Sequence, residues 1–162
     1  MLPVRKVVQH PTDTLAAARA WLRKAARERG GTRCPCCGQH AQVYRRSINA
    51  GMARSLIAMH RLAPDGAWVH VPTQIGARSR EEGKLAYWGL VEEEVAVRPD
   101  GGRSGWWRVT ARGRQFAGGR LKVAKWAYVY NGMVLEYDSS VMIDIKGALG
   151  RKFDYDALMR GE

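Results

Sequence analysis

A chain of 162 residues in which 46% are apolar is large enough for one domain with extensions, and apolar enough to exclude disorder throughout. No apolar run approaches the ~20 residues that span a bilayer, and the first residues, Met1-Leu-Pro-Val-Arg-Lys-Val-Val, show no signal-peptide pattern, so a soluble cytoplasmic protein is expected. A net charge of +12 calls for a polyanionic partner. Nucleic acid is preferred to a membrane surface, because no helix pairs a basic face with a bulky apolar one.

The charge is unevenly spread. Residues 1–62 balance to +10, residues 63–126 to +4 and residues 127–162 to −2. The residue pattern divides the chain into three segments: a basic helix and cysteine knuckle (1–48), a central domain (49–118) and a C-terminal extension (119–162).

Thr12-Asp13 can cap a helix running to about Arg29 and stopped by Gly30-Gly31. Leu15, Ala18 and Leu22 recur at helical spacing, with Arg19, Arg23 and Arg27 along one flank. That flank reads either as a solvated basic face or as an arm following phosphates.

Cys34-Pro-Cys36-Cys37-Gly38 holds every cysteine of the chain, which is no disulfide framework. Cys34 and Cys37 sit at the spacing that lets two sulfurs face one ion, and they resemble half of a zinc ribbon. Cys36 is expected to point away. His40 extends the run to three candidate ligands for one structural zinc. The fourth is open among His10, His60, His70, an acidic residue and a second subunit. The plain alternative is a tight turn with reduced thiols.

Gln42–Arg46 is strand-like, and Ser47 or Asn49 can cap a helix to about Leu62 with Ile48, Met52, Leu56, Met59 and Leu62/Ala63 as its core stripe. Trp68–Val71 reads as a short strand, and Pro72 opens a brief helix. Ser79-Arg-Glu-Glu82 matches a capping box for a helix ending near Trp88-Gly89. Leu90–Val97 and Trp106–Thr110 form a hairpin around a turn-rich basic loop, and Thr110 caps a short helix to Phe116-Ala117. Trp126–Tyr130 and Val134–Tyr137 flank Asn131-Gly132, a strong hairpin signal. Val141–Ile145 is expected as a further strand and Phe153–Arg160 as a closing helix.

The run Gly83-Lys-Leu-Ala-Tyr-Trp-Gly-Leu-Val-Glu92, followed by Gly105-Trp-Trp-Arg-Val-Thr-Ala-Arg-Gly-Arg-Gln-Phe116, resembles the MarR-like winged-helix family over residues 49–118. The resemblance implies an α+β fold with a winged helix-turn-helix core, the N-terminal helix with its cysteine knuckle before it and the hairpin and short helix after it. It also implies pairing into a homodimer and a regulator of transcription on double-stranded DNA. On the expected helix Arg80, Lys84 and Tyr87 share one face, with Leu85 and Trp88 on the other. Arg78 and Arg80 near its start can meet phosphates or guanine edges, and Arg98 and Arg103 flank the wing tip. Arg19 and Arg23 add phosphate contacts from the first helix. Glu81 and Glu82 suit the helix dipole but repel phosphate. Trp106 and Trp107 are expected as packing at the wing root.

The whole chain also resembles small proteins encoded by phages of actinobacteria, which implies a bacterial host cell as its setting. The competing reading is a phage factor that docks on a host protein machine, RNA polymerase or a defence complex, through the winged helix or the C-terminal extension. An enzyme is not expected, since no nucleophile motif, metal-hydrolase spacing or phosphate loop is present.

Overall fold

The computed structural model describes residues 12–76, 81–95, 99 and 105–162. The fold is mixed α+β with small antiparallel sheets. Its contacts divide the chain into two compact units, one of residues 1–45 with 128–135, the other of residues 46–127 with 136–162. Residues 119–162 thus contribute to both.

In the first unit, α1 (Leu15–Ala25) is capped by Thr14, whose hydroxyl oxygen accepts the Ala17 N–H at 3.2 Å. The cap lies one residue past the expected Thr12-Asp13, and the helix ends four residues before Arg29. Ala26, fully buried, already has its carbonyl accepting the Val43 N–H at 2.8 Å. That bond takes the chain out of the helix before the glycines are reached. Strands β1 (Thr32–Arg33) and β2 (His40–Ala41) pair antiparallel, Thr32 opposite Ala41 and Arg33 opposite His40, and carry the cysteine turn between them.

Strand β3 (Tyr44–Ser47) begins a second sheet. Its other members are β7 (Val123–Tyr130) and β8 (Met133–Ile143), in the order β3-β7-β8. The expected turn joins β7 to β8: Asn131 has φ 49° and Gly132 φ 74°, the paired left-handed residues of a tight hairpin turn.

The second unit is organised around α2 (Ala50–Leu62). Asn49 caps it, its Oδ1 accepting the Met52 N–H at 2.9 Å. Met52, Ala53, Leu56, Ile57 and Met59 are buried, and Ile48 and Ala63 continue the core beyond its ends. Of the expected pair Leu62/Ala63, Ala63 is the buried member and Leu62 is half exposed.

A third sheet is assembled from β4 (Val69–His70), β5 (Val91–Glu93) and β6 (Trp106–Val109), in the order β4-β6-β5 and antiparallel throughout. Between β4 and β5 lie a single π-helical turn, Val71–Ile75, with Pro72 at its start, and a 3-10 helix, Glu82–Trp88. Helix α3 (Ala111–Ala117) follows β6 directly, with Thr110 as its cap. α2 packs against the 3-10 helix, the π turn, β6, α3 and two C-terminal helices, α4 (Ile145–Leu149) and α5 (Tyr155–Arg160).

α4 corrects an expectation. The strand expected at 141–145 is the last part of β8, which runs unbroken to Ile143. Asp144 then caps a helix, its Oδ1 accepting the Gly147 N–H at 2.8 Å. Ile145 and Leu149 are buried, so the apolar run ends in a helix packed on α2 and not in a sheet.

Candidate nucleic-acid interface

The segment expected to read DNA winds more tightly than an α-helix. Lys84 N–H donates to the Glu81 carbonyl at 2.9 Å and Gly89 N–H to the Ala86 carbonyl at 3.0 Å, both three residues back. With three residues per turn, side chains fall into eclipsed rows. Glu82, Leu85 and Trp88 form the inward row, with Leu85 fully buried and Trp88 nearly so. Glu81, Lys84 and Tyr87 form a second, half-buried row. The expected split of Lys84 and Tyr87 from Leu85 and Trp88 is therefore present. The helix is anchored by the Trp88 indole N–H, which donates to the buried Ala124 carbonyl at 2.8 Å.

Of the two glutamates expected to repel phosphate, Glu81 has structural attachments. Glu81 accepts from Lys84 Nζ and from Asn49 Nδ2, both at 2.7 Å. One carboxylate thus ties the start of the 3-10 helix to the cap of α2. The Lys84 bond first, then that from Asn49, holds its carboxyl below the usual carboxylate range. Glu82 shares the row of Leu85 and Trp88, and its Oε2 is buried with no hydrogen-bond partner among the described residues.

The Thr110-Ala-Arg-Gly-Arg114 pattern is a clamp between α3 and the end of the 3-10 helix. The Thr110 hydroxyl donates to the Gly89 carbonyl at 2.6 Å and accepts the Gly113 N–H at 3.0 Å. Arg112 Nε donates to the Trp88 carbonyl at 3.1 Å, and Arg114 to the Val109 carbonyl at 3.1 Å. A Cβ on Gly113 would lie 1.9 Å from the Leu90 carbonyl oxygen, so only glycine lets α3 approach. The Trp107 ring lies 3.0 Å from a would-be Cβ on Gly83, a tighter approach than most but one that a small shift of the ring relieves.

In the β5–β6 hairpin, Glu92 and Arg108 stand opposite each other and form an ion pair, while the Arg108 guanidinium lies 4.7 Å from the Trp68 ring centroid. Trp106 packs on the His70 ring, with centroids 5.2 Å apart. Trp106 thus has a packing contact, and the half-buried Trp107 ring lies against Gly83.

Of the sequence-predicted DNA contacts, Arg78, Arg80, Arg98 and Arg103 lie outside the described residues, as does Ser79. Lys84 is half-buried and ion-paired. Tyr87 is half-buried, and its carbonyl accepts the Tyr137 hydroxyl. Arg19 and Arg23 project from the exposed face of α1. The sequence reading did not assign the structural arginines Arg108, Arg112 and Arg114 or the link through Glu81. The Thr-x-x-Gly-Arg spacing is the local signal for Arg112 and Arg114 alone.

At the knuckle, the Gly38 N–H donates to the Cys34 carbonyl at 2.9 Å and the Cys34 N–H to the Gln39 carbonyl at 2.8 Å. Backbone N–H bonds from Cys37 and then Cys36 hold the Cys34 thiol below its ordinary value. His40 Nε2 lies 3.3 Å from Gln42 Oε1, and its ring packs over Gly31. Among the described residues, no three His, Cys, Asp or Glu side chains stand together in metal-binding geometry.

Among the described residues no helix is long and apolar enough to cross a membrane. No family model, no curated protein and no solved structure matches this chain.

Proposed function

We propose that the protein binds double-stranded DNA as a regulator of transcription, with residues 49–118 acting as a winged helix. The observation that carries this reading is topological. A helix (α2), a short strand (β4), two helical turns, then the β5–β6 hairpin and α3 follow in order, with strands arranged β4-β6-β5. That arrangement rests one short helix on a three-stranded sheet beside a hairpin, which is how a recognition helix and a wing are held together. Lys84 and Tyr87 lie on the row away from the core, and Arg78, Arg80, Arg98 and Arg103 flank them in sequence. Charge supports the same partner: residues 1–45 carry nine Lys/Arg against two Asp/Glu, and Arg19 and Arg23 are exposed.

The Lys84–Glu81 pair sets a condition on the reading. Lys84 reaches a phosphate or base only by exchanging one partner for another, so it adds less to affinity than an unpaired lysine. The test is fluorescence anisotropy on duplexes selected from a random pool. Arg80→Ala is expected to flatten sequence preference and Arg103→Ala to weaken all duplexes alike. Unchanged binding in both variants, together with Lys84→Ala, refutes the assignment of the recognition element.

One observation favours a second reading, a host protein partner. β8 ends its sheet and exposes Tyr137, Val141 and Met142, an apolar edge of the kind that accepts another strand. Val141→Glu distinguishes the two, since it abolishes capture of a protein partner and leaves duplex binding intact. Deleting residues 127–162 is unsuitable, because Ile145 and Leu149 belong to the core around α2.

A further inference from the structure

DNA reading leaves the cysteine turn unused. The Gly38 N–H donates to the Cys34 carbonyl at 2.9 Å, four residues back, and closes one isolated helical turn over residues 34–38. The loop is held at both ends: the Cys34 N–H donates to the Gln39 carbonyl at 2.8 Å, and Arg33 Nη1 to the Gly38 carbonyl at 2.9 Å. In a helical turn residues three apart share a face, whereas neighbours and residues two apart do not. Residues three apart in a turn also lie within about 7 Å at Cα, the outer reach of a disulfide. Cys34 and Cys37 are therefore the facing pair, and Cys36 is the odd thiol. Cys34 is half-buried, while Cys36 and Cys37 are exposed.

A cleft of about 360 Å³ lies beside the turn, wholly within the first unit. Cys34, Pro35 and Cys36 form one wall and α1 the other, where Arg19 and Arg23 bring two positive charges and Leu22 an apolar surface. Among the described residues no acidic side chain lines it. Thiols on one wall and guanidinium groups on the other suit a ligand with a sulfur to exchange and carboxylates to bind, and the size is that of a small-molecule site. We propose that the cleft takes small disulfides carrying carboxylates, and that Cys34 and Cys37 exchange with them to form a reversible Cys34–Cys37 disulfide. Cys34 gives its proton to the buffer and attacks one sulfur of the bound disulfide, whose S–S bond breaks to release a first thiolate. Cys37 then gives up its proton and attacks the Cys34 sulfur of the mixed disulfide, expelling the second thiolate. Both thiolates take a proton from the buffer. The two cysteines are oxidised by two electrons, and the small disulfide is reduced by two to a pair of thiols. Arg19 and Arg23 hold the carboxylates and leave the exchange to the sulfurs. The inference stands apart from DNA binding and would hold for a protein-binding chain.

The test uses the reduced full-length chain with a chelator present. It is mixed with glutathione disulfide, which is anionic, with hydroxyethyl disulfide, which is neutral, and with cystamine, which is cationic. Thiols are counted by alkylation and their pairing is read from fragment masses. Each rate is divided by that of the same disulfide with dithiothreitol, which removes differences in intrinsic reactivity. The expected result is two thiols lost per chain with Cys36 alone left to alkylate, and a normalised rate about tenfold higher for the anionic disulfide than for the cationic one. That preference shrinks at high salt. Arg19→Glu with Arg23→Glu removes or reverses it. Lys122→Glu with Arg151→Glu, the same change of net charge at exposed positions elsewhere, preserves it. Cys37→Ser stops at a mixed disulfide on Cys34. The thiol count and the charge preference need no variant, so they stand even if a substitution disturbs the fold. An unreactive chain, a disulfide that includes Cys36, no preference for the anionic disulfide, equal loss of preference in both charge pairs, or a mixed disulfide on Cys36 in Cys37→Ser overturns the proposal.

Discussion

Gly113→Ala isolates the clamp on which the candidate recognition element depends. Gly113 lies within α3 at helical φ and ψ, where alanine is intrinsically favoured by roughly 1 kcal/mol. Against this, the new methyl would meet the Leu90 carbonyl oxygen at 1.9 Å and Val109 Cγ1 at 2.8 Å. The first obstacle is backbone and cannot rotate away. Relief requires α3 to move from the strand, which stretches the 3.1 Å bond from Thr110 N–H to Leu90 C=O and both Thr110 hydroxyl contacts. Overpacking of this kind costs about 1–3 kcal/mol, and losing one hydrogen bond adds about 1 kcal/mol. The net expectation, after the propensity gain, is a loss of about 2 kcal/mol. For a chain of this size that is a fall in melting temperature of roughly 4–8 °C. Gly147→Ala is the internal control: its Cβ would meet only ordinary contacts at 3.4 Å and beyond, so it gains up to about 1 kcal/mol. Thermal and urea unfolding followed by circular dichroism measure both. Gly113→Ala as stable as the parent, or ranked with Gly147→Ala, refutes the clamp.

Two further consequences concern the same unit. Trp88→Phe leaves the Ala124 carbonyl buried without its donor, which is expected to cost about 1–3 kcal/mol of unfolding free energy in urea; a cost below half a kcal/mol, on the order of ordinary surface changes, would contradict the anchor. His60 responds to pH. Its ring is held below its ordinary value of 6.5 first by burial, then by the charges of Arg114 and Arg120, and its Nδ1 is buried with no partner among the described residues. The folded state therefore binds that proton less readily than the unfolded one. Stability is complete above about pH 6.5 and is lost as the pH falls below it toward the folded value. The depressed Glu81 acts in a separate window, below its ordinary 4.5, so unfolding at pH 7 and pH 5 reports His60. The drop between those values should shrink in His60→Gln, and an equal drop in both proteins assigns it elsewhere.

Local chemistry made much of this fold readable. Asn49, Thr110 and Asn131-Gly132 each act through their own side chain or backbone preference, and all three stand where the residue pattern puts them. The 3-10 winding of Glu82–Trp88 was not readable, because periods of 3.0 and 3.6 barely diverge over seven residues. The Trp107 ring against Gly83 and the bonds from Arg112 and Thr110 to the helix end come from residues more than 20 positions away. α4 was missed because Val141–Ile145 has strand composition, and five helical residues containing a glycine give little periodic signal. Asp144, three residues before Gly147, was the one local sign of a helix start. The roles of Glu81 and Arg108 depend on Asn49 and Trp68, partners that sequence spacing does not bring together.

The central claim is that a chain of charge +12 meets duplex DNA through its phosphates and reads it with a supported short helix. Its most direct test is the affinity for one selected duplex measured from low to high salt. A claim of several Lys/Arg contacts to phosphate predicts a straight fall of log affinity with log salt concentration. Each phosphate neutralised contributes a slope of about −0.9, so five or more contacts give about −4.5 or steeper. An affinity that does not change with salt, or no duplex bound at all at low salt, contradicts it.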